Sequence, residues 1–348
     1  MSPYTLTILL LSLGLGTTLT FMTSHWLLAW MGLEINTLAI LPLMAQHHHP
    51  RAVEATTKYF LAQAAAAATI LFASTINAWT TGEWNIFCLS NPIAITLITM
   101  ALALKVGLAP THFWMPPVMQ GLDLTTGLIM ATWQKLAPFA LIIQTAPYAN
   151  PQLLIALGLL SALIGGWGGL NQTQLRKILA YSSIAHLGWI VMISQFNQQL
   201  TMLVLITYFI MTSATFLVFK LMSTTKINTL AMAWTKAPST AALASLTLLS
   251  LGGLPPLTGF LPKWLILQDL TAQGLPLTAV TLALASLMSL YFYLRLCYAM
   301  ILTTAPNTNN SSTPWRLQTK KNTVPLAAFM TSALTLLPLA PLAQALVN

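Results

Sequence analysis

Charge is what this chain has least of. Its 348 residues hold fourteen lysines and arginines and five acids, 5% charged in all, where a soluble domain carries about a quarter. So few charges do not cover a water-facing surface, which excludes a soluble globular protein. Cysteine is nearly absent too. Cys88 and Cys297 fit no metal-ligand spacing and are too few for a disulfide scaffold, so both read as inert thiols. There is no Gly-rich phosphate loop, haem-attachment motif or iron–sulfur cysteine cluster. No cofactor is therefore expected to bind this chain, and no metal. The start, Met1-Ser2-Pro3-Tyr4 running into TLTILLLSLGLGTTLTF, lacks both the Arg/Ser-rich pattern of a transit peptide and the basic n-region of a secretory signal. That leaves a bacterial protein inserted as it is made, or one made inside the organelle that uses it.

What remains is apolar. Hydrophobic residues make up 56% of the chain, with a mean hydropathy of +0.75. Windows of about 20 apolar residues mark membrane spans. Eleven such windows occur: 4–22, 25–45, 58–79, 92–110, 122–146, 151–170, 178–194, 199–221, 239–258, 274–300 and 324–343. Turn signals separate them, among them Pro50, Asn91-Pro92, Pro147, Asn150-Pro151 and the polar run Asn307–Thr313. Only the loops near 46–57, 222–238 and 301–323 exceed a tight connection. Tryptophans near the window ends, Trp26, Trp79, Trp84 and Trp234, read as interfacial anchors.

The formal charge of +9 points to the positive-inside rule and not to nucleic acid. Arg51, Lys58, Arg176, Lys177, Lys220, Lys226, Lys236, Arg295, Arg316, Lys320 and Lys321 fall in or beside even-numbered loops. The odd-numbered loops hold no Lys or Arg, and their region carries Glu83 and Asp269. The N-terminus is therefore expected on the negative side of the membrane (cytoplasm or matrix) and the C-terminus on the opposite side. The run His47-His48-His49 beside Arg51 has no acidic or cysteine company and reads as a solvated loop.

Three basic residues fall outside that allocation, Lys105, Lys135 and Lys263, and Glu34 joins them in mid-span. Each charge there costs a few kcal/mol on insertion scales, and intramembrane ionisable residues mark ion pathways or proton relays. The alternatives are snorkelling or a fixed ion pair.

The fourth and ninth windows share a motif. Gly107-Leu108-Ala109-Pro110 is followed five residues later by Pro116, and Gly253-Leu254-Pro255-Pro256 by Pro262, so both read G-L-x-P-x5-P with a lysine nearby. Gly and Pro break backbone hydrogen bonding, which lipid tolerates only where the break lines protein or a wet cavity. Paired breaks in matching halves point to a transporter's site. Five spans per repeat is an odd number, so the second copy enters from the opposite face. The expected fold is an all-α, polytopic membrane protein with two inverted five-helix repeats, residues 1–150 and 151–300, then a loop and C-terminal helix over 301–348. His112, just past the first break, and His186, in the span that matches Glu34's, are second-rank candidates for proton transfer by their chemistry, a structural hydrogen bond to a neighbouring helix being the competing reading. Tyr181, Ser182 and Ser183 stand beside the second.

KVGLAPTHFWMP (Lys105–Pro116), LRKILAYSSIAHLG (Leu175–Gly188), LGGLPPLTGFLPKW (Leu251–Trp264) and MGLEINTLAILPLM around Glu34 closely resemble the antiporter-like subunits of respiratory complex I. Their wider family includes the large subunits of multisubunit cation/proton antiporters. The resemblance implies a part in proton translocation coupled to electron transfer from NADH to ubiquinone. It pairs Glu34 with Lys105, makes Lys135 the connecting lysine and Lys263 the basic group of the second break. It implies membrane-arm subunits as partners, with lipids such as cardiolipin, and FMN, iron–sulfur clusters and ubiquinone held by other subunits. It also implies the mitochondrial inner membrane, with the N-terminus in the matrix, the C-terminus in the intermembrane space and an organelle gene. Relatives often carry Asp where Gln174 stands, so any role for that acid is missing. A sodium/proton antiporter subunit and a purely structural subunit are the competing readings.

Overall fold

The turn signals of the sequence become helix starts. Ser2, His49 and Asn91 are N-caps whose side chains accept a backbone N–H, each followed by proline at the first helical position. Proline costs nothing there, because that N–H has no helical partner to lose. A computed structural model describes residues 2–46, 48–236, 238–301 and 323–347. His47, the run Asn307–Thr313, and Arg316, Lys320 and Lys321 lie outside the described residues.

The helices are α1 (Pro3–Met22), α2 (Trp26–Met44), α3 (Pro50–Thr81), α4 (Pro92–Val106), α5 (Met115–Gly121), α6 (Leu124–Ala131), α7 (Trp133–Thr145), α8 (Pro151–Gly169), α9 (Leu175–Ile193) and α10 (Gln198–Met222). There follow α11 (Ile227–Ala231), α12 (Ala233–Lys236), α13 (Pro238–Gly252), α14 (Phe260–Ala272), α15 (Pro276–Ile301), α16 (Val324–Thr335) and α17 (Ala340–Val347). No strand occurs among the described residues. Among the described residues, seven segments are long and apolar enough to cross a membrane: α1, α2, α3, the α6–α7 pair, α8, α10 and α15. Helices α4, α13 and α16 are shorter and apolar, and α9 carries Arg176, Lys177 and His186. Outward faces are apolar, as at Leu11, Leu61, Phe72 and Leu287, which suits hydrocarbon rather than water.

Several boundaries differ from the sequence windows. Helix α3 starts at Pro50, because His49 and Pro50 cap it eight residues before its apolar stretch begins. Residues 115–121 and 260–272, which no window covers, are the helices α5 and α14. The loop after α10 contains two short helices. The last window divides at Pro338 into α16, a 3₁₀ turn over Leu337–Leu339 and α17. Trp79 is exposed, whereas Trp26 is fully buried, a core residue and not an anchor.

The chain divides into two compact units, residues 1–161 with 190–198, and residues 162–189 with 199–348. In the first, α1 lies on α2, α2 on α3, α3 on α4 and α5, and α7 on α1, α2 and α4. Gly16 and Gly32 let α1 and α2 touch backbone to backbone. A Cβ on Gly16 would meet the Gly32 carbonyl at 2.8 Å, and one on Gly32 would meet the Gly16 carbonyl at 2.9 Å. In the second unit α15 carries the packing, against α11, α13 and α14. Gly165 there brings α8 onto the backbone of Ala185 in α9.

Candidate proton-transfer site

Unit one builds its site where α4 stops. Gly107 takes the left-handed conformation, φ 86°, which costs other residues more. The helix end leaves carbonyls short of helical partners, and three in the last turn are met. The Ala103 carbonyl accepts the N–H of Gly107 and of Leu108, both at 2.9 Å. The Leu104 carbonyl accepts the Trp114 indole N–H at 3.0 Å. The Lys105 carbonyl accepts the Gln63 amide of α3 at 3.2 Å. The chain then turns through Pro110 and His112 into α5. The backbone therefore leaves helical geometry without an orphaned carbonyl among these three.

Lys105 occupies the last turn of α4, 5% exposed, and its Nζ is buried with no hydrogen-bond partner. It faces a cavity with about 20 Å³ of room for water centres, where about 10–15 Å³ holds one water. Asn36, Tyr59, Gln63, Gln134 and Lys135 line the same cavity. Both amide atoms of Asn36 are also buried and unpartnered. Polar groups buried this way each cost about 1–3 kcal/mol unless water serves them, so the cavity is built to be wet. Tyr59 donates to Gln134 at 3.4 Å, and Gln134 donates to the Asn36 carbonyl at 3.3 Å. Glu34, half-buried on α2, accepts from Thr37 at 3.2 Å, and Thr37 lines the cavity. Glu34 acts electrostatically on Tyr59 and Lys105.

Lys135 is 3% exposed on α7. Two irregularities flank it. Thr132, at φ −116° and ψ −73°, separates α6 from α7. Pro138 follows within the helix, and it has no N–H for the Gln134 carbonyl. His112 is buried in the turn after α4, its Nδ1 unpartnered and its ring 4.4 Å from that of Phe113.

Unit two has its own break. Helix α13 ends at Gly252, Gly253 is left-handed at φ 79°, and α14 starts at Phe260 after Pro255 and Pro256. Lys263, in the first turn of α14 and half-buried, reaches back to donate to the Gly252 carbonyl at 2.7 Å. A Cβ on Gly253 would lie 2.8 Å from Lys263 Nζ, so that glycine answers both a backbone and a space requirement. His186 is half-buried on α9, its ring 5.8 Å from that of Tyr208. Lys105 and Lys135 thus line one cavity in the first unit, which Glu34 reaches through Thr37, and Lys263 and His186 belong to the second. Reading by charge alone missed Asn36, Tyr59, Gln63 and Gln134. Tyr59 and Gln63 one helical turn apart in an alanine-rich span were the available signal.

The sequence matches a family model for the membrane part of NADH:quinone oxidoreductases and Mrp antiporters over residues 23–289. It matches a second, for the NADH dehydrogenase subunit 2 C-terminus, over residues 290–344. It is 70% identical to NADH-ubiquinone oxidoreductase chain 2 of Carassius auratus over 98% of both chains. Against the chain of that name from Gadus morhua it is 65% identical over the whole of both. A chain of respiratory complex I from Thermus thermophilus with bound Aureothin superposes with TM-score 0.85 at 30% identity, over 98% of this chain and 80% of that one. The Mrp complex from Dietzia sp. DQ12-45-1b shares the fold, at TM-score 0.76 and 18% identity over 97% and 72% of the two chains.

Proposed function

The chain belongs to the family of NADH-ubiquinone oxidoreductase chain 2, antiporter-like membrane subunits of respiratory complex I, and we propose that Glu34, Lys105, Lys135 and Lys263 are its proton relay. It is a multi-pass inner-membrane protein, a subunit of a proton-translocating NADH:ubiquinone oxidoreductase, with other membrane-arm subunits as partners. FMN, the iron–sulfur clusters and ubiquinone belong to other subunits.

The observation that carries the relay is the shared cavity of Lys105 and Lys135, beside which the Lys105 ammonium is buried without a hydrogen-bond partner. An ammonium buried without a counter-charge or water is costly. A water bridge to Glu34 holds the proton on Lys105. When that bridge opens, the proton leaves through water toward Lys135, and the amine stays behind neutral. The Gly/Pro breaks at Gly107, Pro110, Gly253, Pro255 and Pro256 give each half a flexible, hydrated backbone segment, and His112 and His186 extend the set of carriers. Residues 1–150 and 151–300 act as two inverted five-helix repeats. The match of residues 290–344 to a subunit 2 C-terminus favours this reading over a free-standing antiporter.

The basic loops support a matrix N-terminus and an intermembrane-space C-terminus. The apolar outer faces support lipid contacts, cardiolipin included. Tags in loop 222–238 and at the C-terminus should label from opposite sides, and labelling from one side would overturn the orientation and the repeat assignment together. The relay is tested by Lys105→Met and Glu34→Gln in the assembled complex in vesicles. Both should assemble yet lower the proton-to-electron ratio and coupled turnover, while Lys226→Met leaves them unchanged. Wild-type values for both variants would make Glu34 and Lys105 a fixed ion pair.

A further inference from the structure

The second unit buries a group of hydroxyls that its lysine and histidine do not account for. Ser182, Ser183 and His186 stand on one face of α9, three and four residues apart. Ser183 donates its hydrogen to the Ala180 carbonyl at 2.7 Å, so in its hydrogen bond with Tyr208 it accepts and the phenol of α10 donates. Ser182 likewise donates to the Leu179 carbonyl at 2.8 Å, which leaves its oxygen free to accept. Tyr293 of α15 is 0% exposed, and its hydroxyl lies against that of Ser182 without forming a well-shaped hydrogen bond. Its ring edge lies 3.7 Å from where a Cβ on Gly252 would stand, and the carbonyl of Gly252 holds Lys263. Tyr208 is buried with its ring against His186.

We propose that Tyr293 and Tyr208 are positioning residues that hold the water chain between Lys263 and His186, so that the second unit passes its proton along water held by phenols and serines, without a carboxylate. This rests on the relay reading above. A buried phenol that meets a serine without a well-formed hydrogen bond is a place for water, because leaving it unserved is costly. A proton leaving the Lys263 ammonium goes to that water and leaves a neutral amine. Each water along the line accepts one proton and gives up another, and ends neutral, while the phenols hold those waters in place. His186 takes the last at its ring nitrogen and becomes imidazolium. Each phenol can both accept and donate, which phenylalanine cannot.

The test separates this role from packing. Tyr293→Phe deletes a hydroxyl whose contact with Ser182 falls short of hydrogen-bond geometry, so packing alone gives it a small effect. In the assembled complex we expect normal assembly and normal NADH oxidation with a soluble electron acceptor. Coupled turnover should fall roughly tenfold, short of the about 10²–10⁴ lost with a reacting acid or base, and the proton-to-electron ratio should fall with it. Tyr208→Phe should act in the same direction, and Tyr298→Phe, on α15 but 64% exposed, should match wild type. Wild-type ratios in Tyr293→Phe and Tyr208→Phe, with Lys263→Met impaired, would overturn the inference and leave the relay standing. Wild-type ratios in Lys263→Met as well would overturn the second half of the relay itself. Failure of Tyr293→Phe to assemble would also count against the inference, since it gives that hydroxyl no packing role.

Discussion

At the first break, neutral side chains from elsewhere close the helix end: the Trp114 indole takes the Leu104 carbonyl and the Gln63 amide takes that of Lys105. At the second break the lysine does this itself, Lys263 donating to the Gly252 carbonyl. The same G-L-x-P-x5-P wording thus yields two different duties for its cation. Lys105 is released from backbone work and points its ammonium into a wet cavity near a carboxylate. Lys263 is tied to a helix terminus, where the partial negative charge of the carbonyls favours a cation. A short sequence motif predicts that a helix breaks, and its neighbours decide what the charged residue does there.

The widest separation of the two halves should come from the lysines. Lys105→Met deletes an ammonium that has no hydrogen-bond partner. Coupled turnover should fall on the order of 10² with the thermal stability of the complex unchanged or raised. Lys263→Met should also lose turnover, and in addition about 1–3 kcal/mol of stability, because the Gly252 carbonyl is left unserved. Equal thermal midpoints for the two variants, read by inactivation of the assembled complex, would erase the distinction.

The glycines give the next largest contrast. Gly253→Ala and Gly107→Ala both place a Cβ at positive φ, about 1–2 kcal/mol each. Only at Gly253 does that Cβ strike the lysine, 2.8 Å from Nζ, whereas at Gly107 it meets Met115 and Trp114 at 3.2 and 3.3 Å. Gly253→Ala should therefore lower the proton-to-electron ratio and Gly107→Ala only the stability. A lowered ratio in both would mean that backbone strain, and not the lysine's seat, controls transfer. Smallest of all, Gln63→Leu should cost about 1 kcal/mol, since cavity water can take over the Lys105 carbonyl. A loss near that of Lys263→Met would show that Gln63 is as structural as the second lysine.

Much of this was legible in the residues. Scarce charge and long apolar windows give a helical membrane protein, and Lys105, Lys135, Lys263 and Glu34 stand out because charge is costly in lipid. The half-helices α5 and α14 were not legible, since they are short and follow prolines that read as turns. Thr132 gives no warning of its irregular backbone, having neither glycine nor proline beside it. Gln63, Gln134 and Tyr293 escaped for another reason. An uncharged polar residue in an apolar span is common, and only its neighbours in space show whether it serves a carbonyl, a water or nothing.

The contact of α1 with α2 through Gly16 and Gly32 has a mechanical side. With the two backbones touching, neither rod can slide or roll past the other without driving a carbonyl into its neighbour. The pair behaves as one stiff strut, and Glu34 is bolted to it. Gating of the carboxylate against Lys105 then needs no sliding of α1 past α2, and a side-chain rotamer or a single water is enough to make or break the link.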